Sequence, residues 1–308
     1  MNDNSIMTSM KSTFENNLFS TNKTLNLHGR LVDLRTPKVM GILNVTPDSF
    51  YDGNQHSTEA AILAHAEKMV REGATFIDVG GYSTRPGAEE IPVAEELKRV
   101  LSVIKGIRRN FPETFISIDT FRSEVARAAI EEGAHLINDV SGGSLDEKMF
   151  ETVASLRVPY ILMHMRGTPA TMTQQTNYEN LLKDIIDFFH QKINMLHQLG
   201  VKDIVVDPGF GFAKTVDQNF EILNHLEHFK ILGKPILAGL SRKSMIWRSL
   251  SVTPDEALNG TTSLNTIALL KGAGILRVHD VKEAMEAVTL TNKVLDHKSV
   301  SSPLTTYH

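Results

Sequence analysis

Short apolar runs recur along the interior of the chain: VMGILNV from Val39, TFIDVG from Thr75, FISID from Phe115, HLINDV from His135, YILMH from Tyr160, DIVVD from Asp203, PILAG from Pro235 and GILRVH from Gly274. They are continuous rather than alternating, as strands of a parallel sheet are when both faces are covered. Nearly every gap between them carries an amphipathic helical repeat, so the chain reads as repeated β-α units. Helix punctuation fits this reading. Ser57 stands as an N-cap before AILAHAEKMV, Pro92 opens ELKRVLSVI, and Gly133 closes a third helix. Asn177 begins a long helix toward Gly200, Pro254 restarts one after an interrupted turn, and Asp280 with Glu283 has capping-box spacing.

Eight such units predict a TIM (β/α)8 barrel over residues 23–297, with a doubly wound open sheet as the alternative. Before the first unit, LNLHGRLVDL has the form of a hairpin turning at His28 and Gly29, placed to cover the amino-terminal mouth of the barrel. Residues 1–22 and 298–308 offer little apolar surface to offset ordering entropy and are expected to be flexible tails.

Composition narrows the function classes. Hydrophobic residues make up 41% of the 308, enough for a substantial core, and 32 basic against 36 acidic side chains leave a net charge of -4. That balance supplies no global attraction to nucleic acid or anionic lipid. No run approaches the roughly 18 apolar residues of a membrane span, and no secretory or transit signal is evident. Cysteine is absent, which excludes disulfides, thiolate metal sites and cysteine nucleophiles, and suits the cytoplasm as the expected compartment.

Polar residues fall where the predicted strands end: Asn44, Asp78, Asp119, Asn138 with Asp139, His164, Asp207, Ser241 with Arg242 and Lys243, and Arg277 with His279. Scattered in sequence, they would be gathered into one ring by barrel closure. The plainer alternative is that each satisfies a local backbone group. Carboxylates and amides such as Asp119, Asn138 and Asp207 suit the donor and acceptor edge of a flat heterocycle. Arg277, His279, Ser241 and the loop STRPG from Ser83 suit a phosphate or diphosphate. GFGFAKT from Gly209 fails the Walker spacing, and no Rossmann fingerprint opens the chain. His225 and His228, three apart in a charged helix, read as a solvated face rather than a zinc site. The Asn44 oxygen together with a diphosphate would suit magnesium.

In order along the chain, GILNVTPDSFYDG from Gly41, DVGGYSTRPGA from Asp78, INDVSGG from Ile137, MHMRGTP from Met163, VDPGFGFAKT from Val206, GLSRKS from Gly239 and RVHD from Arg277 resemble the dihydropteroate synthase family. The resemblance runs from about residue 23 to 297 and implies a transferase of folate biosynthesis. Such an enzyme joins 6-hydroxymethyl-7,8-dihydropterin diphosphate to 4-aminobenzoate, releasing diphosphate, with Mg2+ accompanying the diphosphate. It implies that Asp119, Asn138, Asp207 and Lys243 hold the pterin, that Met165 and Phe212 supply its apolar surroundings, and that Gly239 permits close approach. Asn44, Arg277 and His279 would bind the diphosphate, with Asn44 at the metal.

Two loops complete the implied site. The first includes Phe50 and Asp52, the second Thr84, Arg85 and Pro86; Phe50 and Pro86 would shape the aminobenzoate entrance, with Lys243 and Ser244 beside it. Asp52, Arg85 and Lys243 form the implied catalytic set, Asp52 stabilising positive charge on the pterin methylene and Arg85 neutralising diphosphate. The implied chemistry breaks the C–O bond substantially before the aromatic amine attacks, so no strong protein nucleophile is required. A homodimer through outer helices of the later half is also implied. Tyr51, Asn54, Gln55, Tyr82 and Arg166 depart from the common family wording. A corrinoid-linked methyltransferase and a noncatalytic pterin-binding module are the alternatives. STRPG and SRKS favour the synthase over the first, and the intact set Asn44, Asp52, Arg85, Lys243, Arg277 and His279 opposes the second.

Overall fold

At the amino-terminal end, β1 (Thr24–Leu27) and β2 (Arg30–Asp33) pair antiparallel around His28 and Gly29. Both turn residues have positive φ, 52° and 86°, the twist a two-residue hairpin turn needs. Alternate side chains Leu25, Leu27 and Val32, followed by Leu34, are buried against Met40, Phe76, Phe115, Leu136, Ile161, Val205, Leu237 and Ile275. These last eight residues come one from each strand of the main sheet, so the hairpin plugs the barrel floor as its sequence position predicts. The computed structural model describes residues 23–45, 55–84 and 90–298, so the expected tail 1–22, residues 299–308 of the other tail, and Phe50, Asp52, Arg85 and Pro86 lie outside the described residues.

The main sheet comprises β3 (Lys38–Asn44), β4 (Phe76–Gly80), β5 (Phe115–Asp119), β6 (Leu136–Asp139), β7 (Tyr160–Met163), β8 (Ile204–Asp207), β9 (Leu237–Ala238) and β10 (Ile275–Val278). Neighbours pair in parallel from β3 round to β8, and β10 lies parallel to both β3 and β9. The remaining gap is closed by a parallel bridge between Val206 and Ile236, with the Val206 N–H donating to the Pro235 carbonyl at 2.9 Å. Closure decides for the barrel over the open sheet. β9 is shorter than its apolar run suggests, because Pro235 has no N–H to extend the ladder.

The outer layer consists of α1 (Gln55–Arg71), α2 (Val93–Asn110), α3 (Ser123–Glu132), α4 (Met149–Leu156), α5 (Leu181–Gln198), α6 (Val216–Asn224), α7 (Ser244–Leu250), α8 (Leu258–Leu270) and α9 (Val281–Lys298). Each long helix turns one stripe to the sheet, such as Val100, Val103, Ile104 and Ile107 of α2, or Ile185, Phe189, Ile193 and Leu196 of α5. Burying one such side chain contributes roughly 1.5–3 kcal/mol. Pro92 and Gly133 bound their helices as expected.

Four helix signals read differently in the structure. Ser57 lies two residues inside α1 rather than capping it. α5 is capped by Asn180, whose side chain accepts from the Lys183 N–H at 3.1 Å, rather than by Asn177. The buried stripe starts at Leu181, so the nearer asparagine takes the position. After Pro254 the chain makes a turn, and α8 starts only at Leu258. Both Asp280 carboxylate oxygens accept from Arg242, at 3.0 and 2.8 Å, so the expected capping box gives way to an ion pair.

Candidate active site

Parallel register sets the carboxyl ends of the strands level: Gly80 pairs with Asp119, and Asp119 with Asn138. Inside the barrel at this level, the Arg277 guanidinium lies between two carboxylates. Its Nε donates to Asp78 Oδ2 and its Nη2 to Asp119 Oδ2, both at 2.6 Å. Asn138 Nδ2 donates to the same Asp78 oxygen at 2.9 Å. Asp78, Asn138 and Asp207 are buried, so these charge-assisted bonds act where water screens them little.

Burial pushes Asp119 up to about 7 against the downward pull of Arg277, and raises Asp207 against the pull of Lys243. Burial works against the Arg277 charge, but Asp78 and Asp119 outweigh it and hold the guanidinium above its usual range. Lys243 is lowered to about 8 by burial, with the Asp207 charge opposing. Its ammonium donates to the Phe210 carbonyl and stands 4.4 Å from the Phe212 ring centroid. The cleft therefore offers carboxylate acceptors, amide donors, a cation and an aromatic face around one small opening. That set matches the edge and faces of a flat nitrogen heterocycle, with Arg277 available to a nearby anion.

Thr84, Asp119, Asn138, Asp207, Phe212, Gly239, Lys243 and Arg277 line this cleft together. Val140 and Met163 also line it and were not among the expected site residues. Met165 is buried in one apolar cluster with Met172, Ala213 and the lining residues Val140 and Met163. Asn44 ends β3 beside the ring: a Cβ on Gly80 would stand 3.7 Å from Asn44 Oδ1 and 3.6 Å from Asp119 Oδ2. His279 lies on the same rim, its Nδ1 3.0 Å from Ser241 Oγ, and Ser244 opens α7 directly after Lys243. Among the described residues there is no group of three or more His, Cys, Asp or Glu able to hold a metal ion.

Asp78, expected to end its strand, lies midway along β4, two residues before Gly80, and joins the binding set through Arg277 and Asn138. Other strand-end groups serve elsewhere. Asp139 accepts from Tyr160 Oη at 2.6 Å and Ser141 Oγ at 2.7 Å, on the outer side of the sheet. His164, lowered by burial, has its Nδ1 3.0 Å from Lys214 Nζ. Lys214 also donates to the Gly209 and Phe212 carbonyls at 3.0 and 2.9 Å, holding the loop that presents Phe212. The GFGFAKT lysine is thus a loop anchor, consistent with the failure of that segment as a phosphate loop.

Closed barrel, convergent strand-end carboxylates and buried cations define a pterin-binding enzyme, and the family profile described as pterin binding enzyme matches residues 40–279. Within that class the chain belongs to the dihydropteroate synthases. It is 44% identical over 273 residues to the dihydropteroate synthase of Escherichia coli, covering 88% of this chain and 96% of that protein. The Xanthomonas albilineans dihydropteroate synthase solved with 4-aminobenzoic acid superposes with a TM-score of 0.83 at 40% identity, covering 89% of this chain and 98% of that one. The same enzyme in complex with 7,8-dihydropteroate gives 0.80 at 38% identity, with 88% and 98% covered.

Proposed function

We infer that this chain joins 6-hydroxymethyl-7,8-dihydropterin diphosphate to 4-aminobenzoate, giving 7,8-dihydropteroate and diphosphate. The observation that carries the reading is the convergence of Asp119, Asn138, Asp207, Lys243 and Arg277 on one cleft at the carboxyl ends of the barrel strands. In this reading Asp207, Asn138 and Asp119 bind the pterin edge, Lys243 donates to a pterin acceptor, and Phe212 covers a ring face. An unpaired buried polar edge would forfeit roughly 1–3 kcal/mol, so these groups select the heterocycle more sharply than an apolar slot.

The diphosphate lies toward Arg277, His279 and Asn44. Asn44 offers one neutral oxygen, which fits a hard cation that takes its remaining ligands from diphosphate and water. Mg2+ bound there would supply neutralisation of the leaving group's charge. As the C–O bond breaks, the electron pair leaves with diphosphate, Arg277 and Arg85 offset that charge, and Asp52 stabilises the methylene cation. The aromatic amine then adds and loses its proton to solvent. Phe50, Thr84, Pro86 and Ser244 are assigned to aminobenzoate binding in this reading. Electrostatic stabilisation of separating charge is the main catalytic contribution.

A homodimer is proposed through the last two helices. Ile267 and Leu270 of α8, and Leu290, Val294 and Leu295 of α9, are large hydrophobic side chains left exposed, and α8 packs directly on α9. Exposed apolar side chains on two adjoining helices support burial by a second copy, which sedimentation would reveal. Among the described residues no helix is long and apolar enough to cross a membrane, and we assign the enzyme to the cytoplasm. The decisive experiment mixes purified protein with magnesium, dihydropterin diphosphate and 4-aminobenzoate and detects dihydropteroate by mass; no product from folded protein rejects the reading.

A further inference from the structure

We propose that Arg122 is a positioning residue for the aminobenzoate, clamping the two stems of the segment that carries Thr84. The proposal rests on the synthase reading and adds a residue outside the cleft lining. The segment leaves β4 through Gly81, Tyr82, Ser83 and Thr84, and the described chain resumes at Glu90 and Ile91 before α2. Glu96, in the first turn of α2, is fully buried. Its Oε1 accepts from Thr120 Oγ1 at 2.7 Å and its Oε2 from Arg122 Nη1 at 2.8 Å. The guanidinium is thereby held at the exit of β5.

From that point Arg122 reaches both stems. Its Nη2 donates to the Ile91 carbonyl at 2.7 Å, and its Cζ stands 5.1 Å from the Tyr82 ring centroid. Tyr82 in turn meets Phe121 edge-on, with centroids 5.0 Å apart at 82°. Phe121 packs on the apolar cluster that contains Val140 and Met163, two residues of the cleft wall. A single cation therefore connects the returning stem, the outgoing stem and the wall of the site. Arg99 adds a second hold on the outgoing stem, donating to the Gly81 carbonyl at 3.1 Å.

An ion pair buried for stability alone is readily replaced by apolar packing, because desolvation offsets much of its attraction. Here the retained charge has a directional task, since an apolar side chain cannot donate to Ile91. Tyr82 is also one of the positions where the chain departs from the common family wording, so this aromatic arm is a feature of the present sequence. Asp119, assigned to the pterin, is held separately, by Arg277, which Asp78 in turn holds. Loss of the clamp should therefore act on the rim substrate more than on the pterin.

The test uses the full chain and measures dihydropterin diphosphate affinity by calorimetry and the aminobenzoate KM by steady-state product formation. Arg122→Met is expected to raise the aminobenzoate KM about tenfold or more while pterin substrate affinity stays within about threefold. Tyr82→Ala should raise the same KM, and Tyr82→Phe, which keeps the ring, should stay near wild type. An unchanged KM in folded Arg122→Met, or an equal loss for both substrates, overturns the proposal. If Arg122→Met does not fold, the Tyr82 pair decides, and indistinguishable Ala and Phe variants overturn it. A wild-type chain that forms no dihydropteroate rejects the synthase reading and this proposal together, whereas wild-type turnover with unaffected variants rejects the proposal alone.

Discussion

Arg277 and Asp78 are 199 residues apart in the chain, yet the arginine Nε donates to the aspartate Oδ2 at 2.6 Å inside the barrel. Because the same oxygen also accepts from Asn138, Asp78 orients two groups of the cleft at once. Asp78→Ala would leave Arg277 with Asp119 alone. Removing one partner of a buried pair costs about 3–5 kcal/mol, so the denaturant midpoint should fall markedly and diphosphate affinity with it. A wild-type midpoint in that variant would mean that Asp119 alone satisfies the guanidinium.

Gly209 is a position where backbone geometry dictates the residue. Its φ is +72°, and a Cβ there would stand 2.1 Å from the His164 carbonyl oxygen, a backbone atom that cannot swing aside. Gly209→Ala is expected to destabilise by about 3–5 kcal/mol and to weaken pterin binding by displacing Phe212. Gly200 is the control: its φ is +85°, but nothing lies within 4 Å of an added Cβ. Gly200→Ala should therefore carry only the left-handed backbone penalty, about 1–2 kcal/mol. Equal shifts in Tm for the two variants would exclude the clash as the cause.

Much of this architecture is legible in the sequence for a physical reason. Strands buried on both faces are largely apolar, so the eight runs announce themselves, and polar residues toward the carboxyl end of the runs mark the ligand-binding end. What strand-end position leaves undecided is facing. Asn138 and Asp139 are adjacent, so strand alternation sends only one of them inward; Asn138 meets Asp78, and Asp139 meets Tyr160 behind the sheet. That parity rule was available from sequence. The Arg277 bridge and the Lys214 anchor were not, since each depends on carbonyls and carboxylates brought close only by closure. The contacts of Arg122 with Glu96, Ile91 and Tyr82 likewise exist only once the chain has folded.

Lys243 predicts a pH dependence of opposite sign for binding and for stability. Burial lowers it from 10.5 to about 8, against the charge of Asp207. The ammonium prevails below that value and is lost as pH rises through it, so dihydropterin diphosphate affinity should fall above about pH 8. Between about 8 and the ordinary lysine range the unfolded chain binds more protons than the folded one, and this group makes the protein more stable as pH rises. Lys243→Met should bind more weakly at neutral pH and lose both dependences. Calorimetry and denaturant titrations across pH 7 to 10, roughly bracketing this transition, would separate the two. A wild-type affinity that does not change over that range removes Lys243 as the donor.

The proposed assignment also predicts an order of binding. In the proposed assignment Asp119, Asn138, Asp207 and Lys243 hold the pterin, whereas Thr84, which lines the same cleft, comes from the segment that follows β4. Aminobenzoate bound first would meet an incomplete site, lacking the pterin ring and diphosphate that form one side of it. The first ligand should therefore raise affinity for the second by about tenfold or more, a coupling of roughly 1.4 kcal/mol. Linkage makes this reciprocal, so saturating aminobenzoate must tighten the pterin compound by the same factor. A matched titration should show weak aminobenzoate binding to the free protein and clear binding once a pterin and diphosphate, with magnesium, occupy their sites. Magnesium should enlarge the contrast by fixing diphosphate near Asn44. Equal aminobenzoate affinity in both states would overturn the ordered scheme even for an enzyme that makes dihydropteroate, because the reaction itself requires only that both substrates be present together.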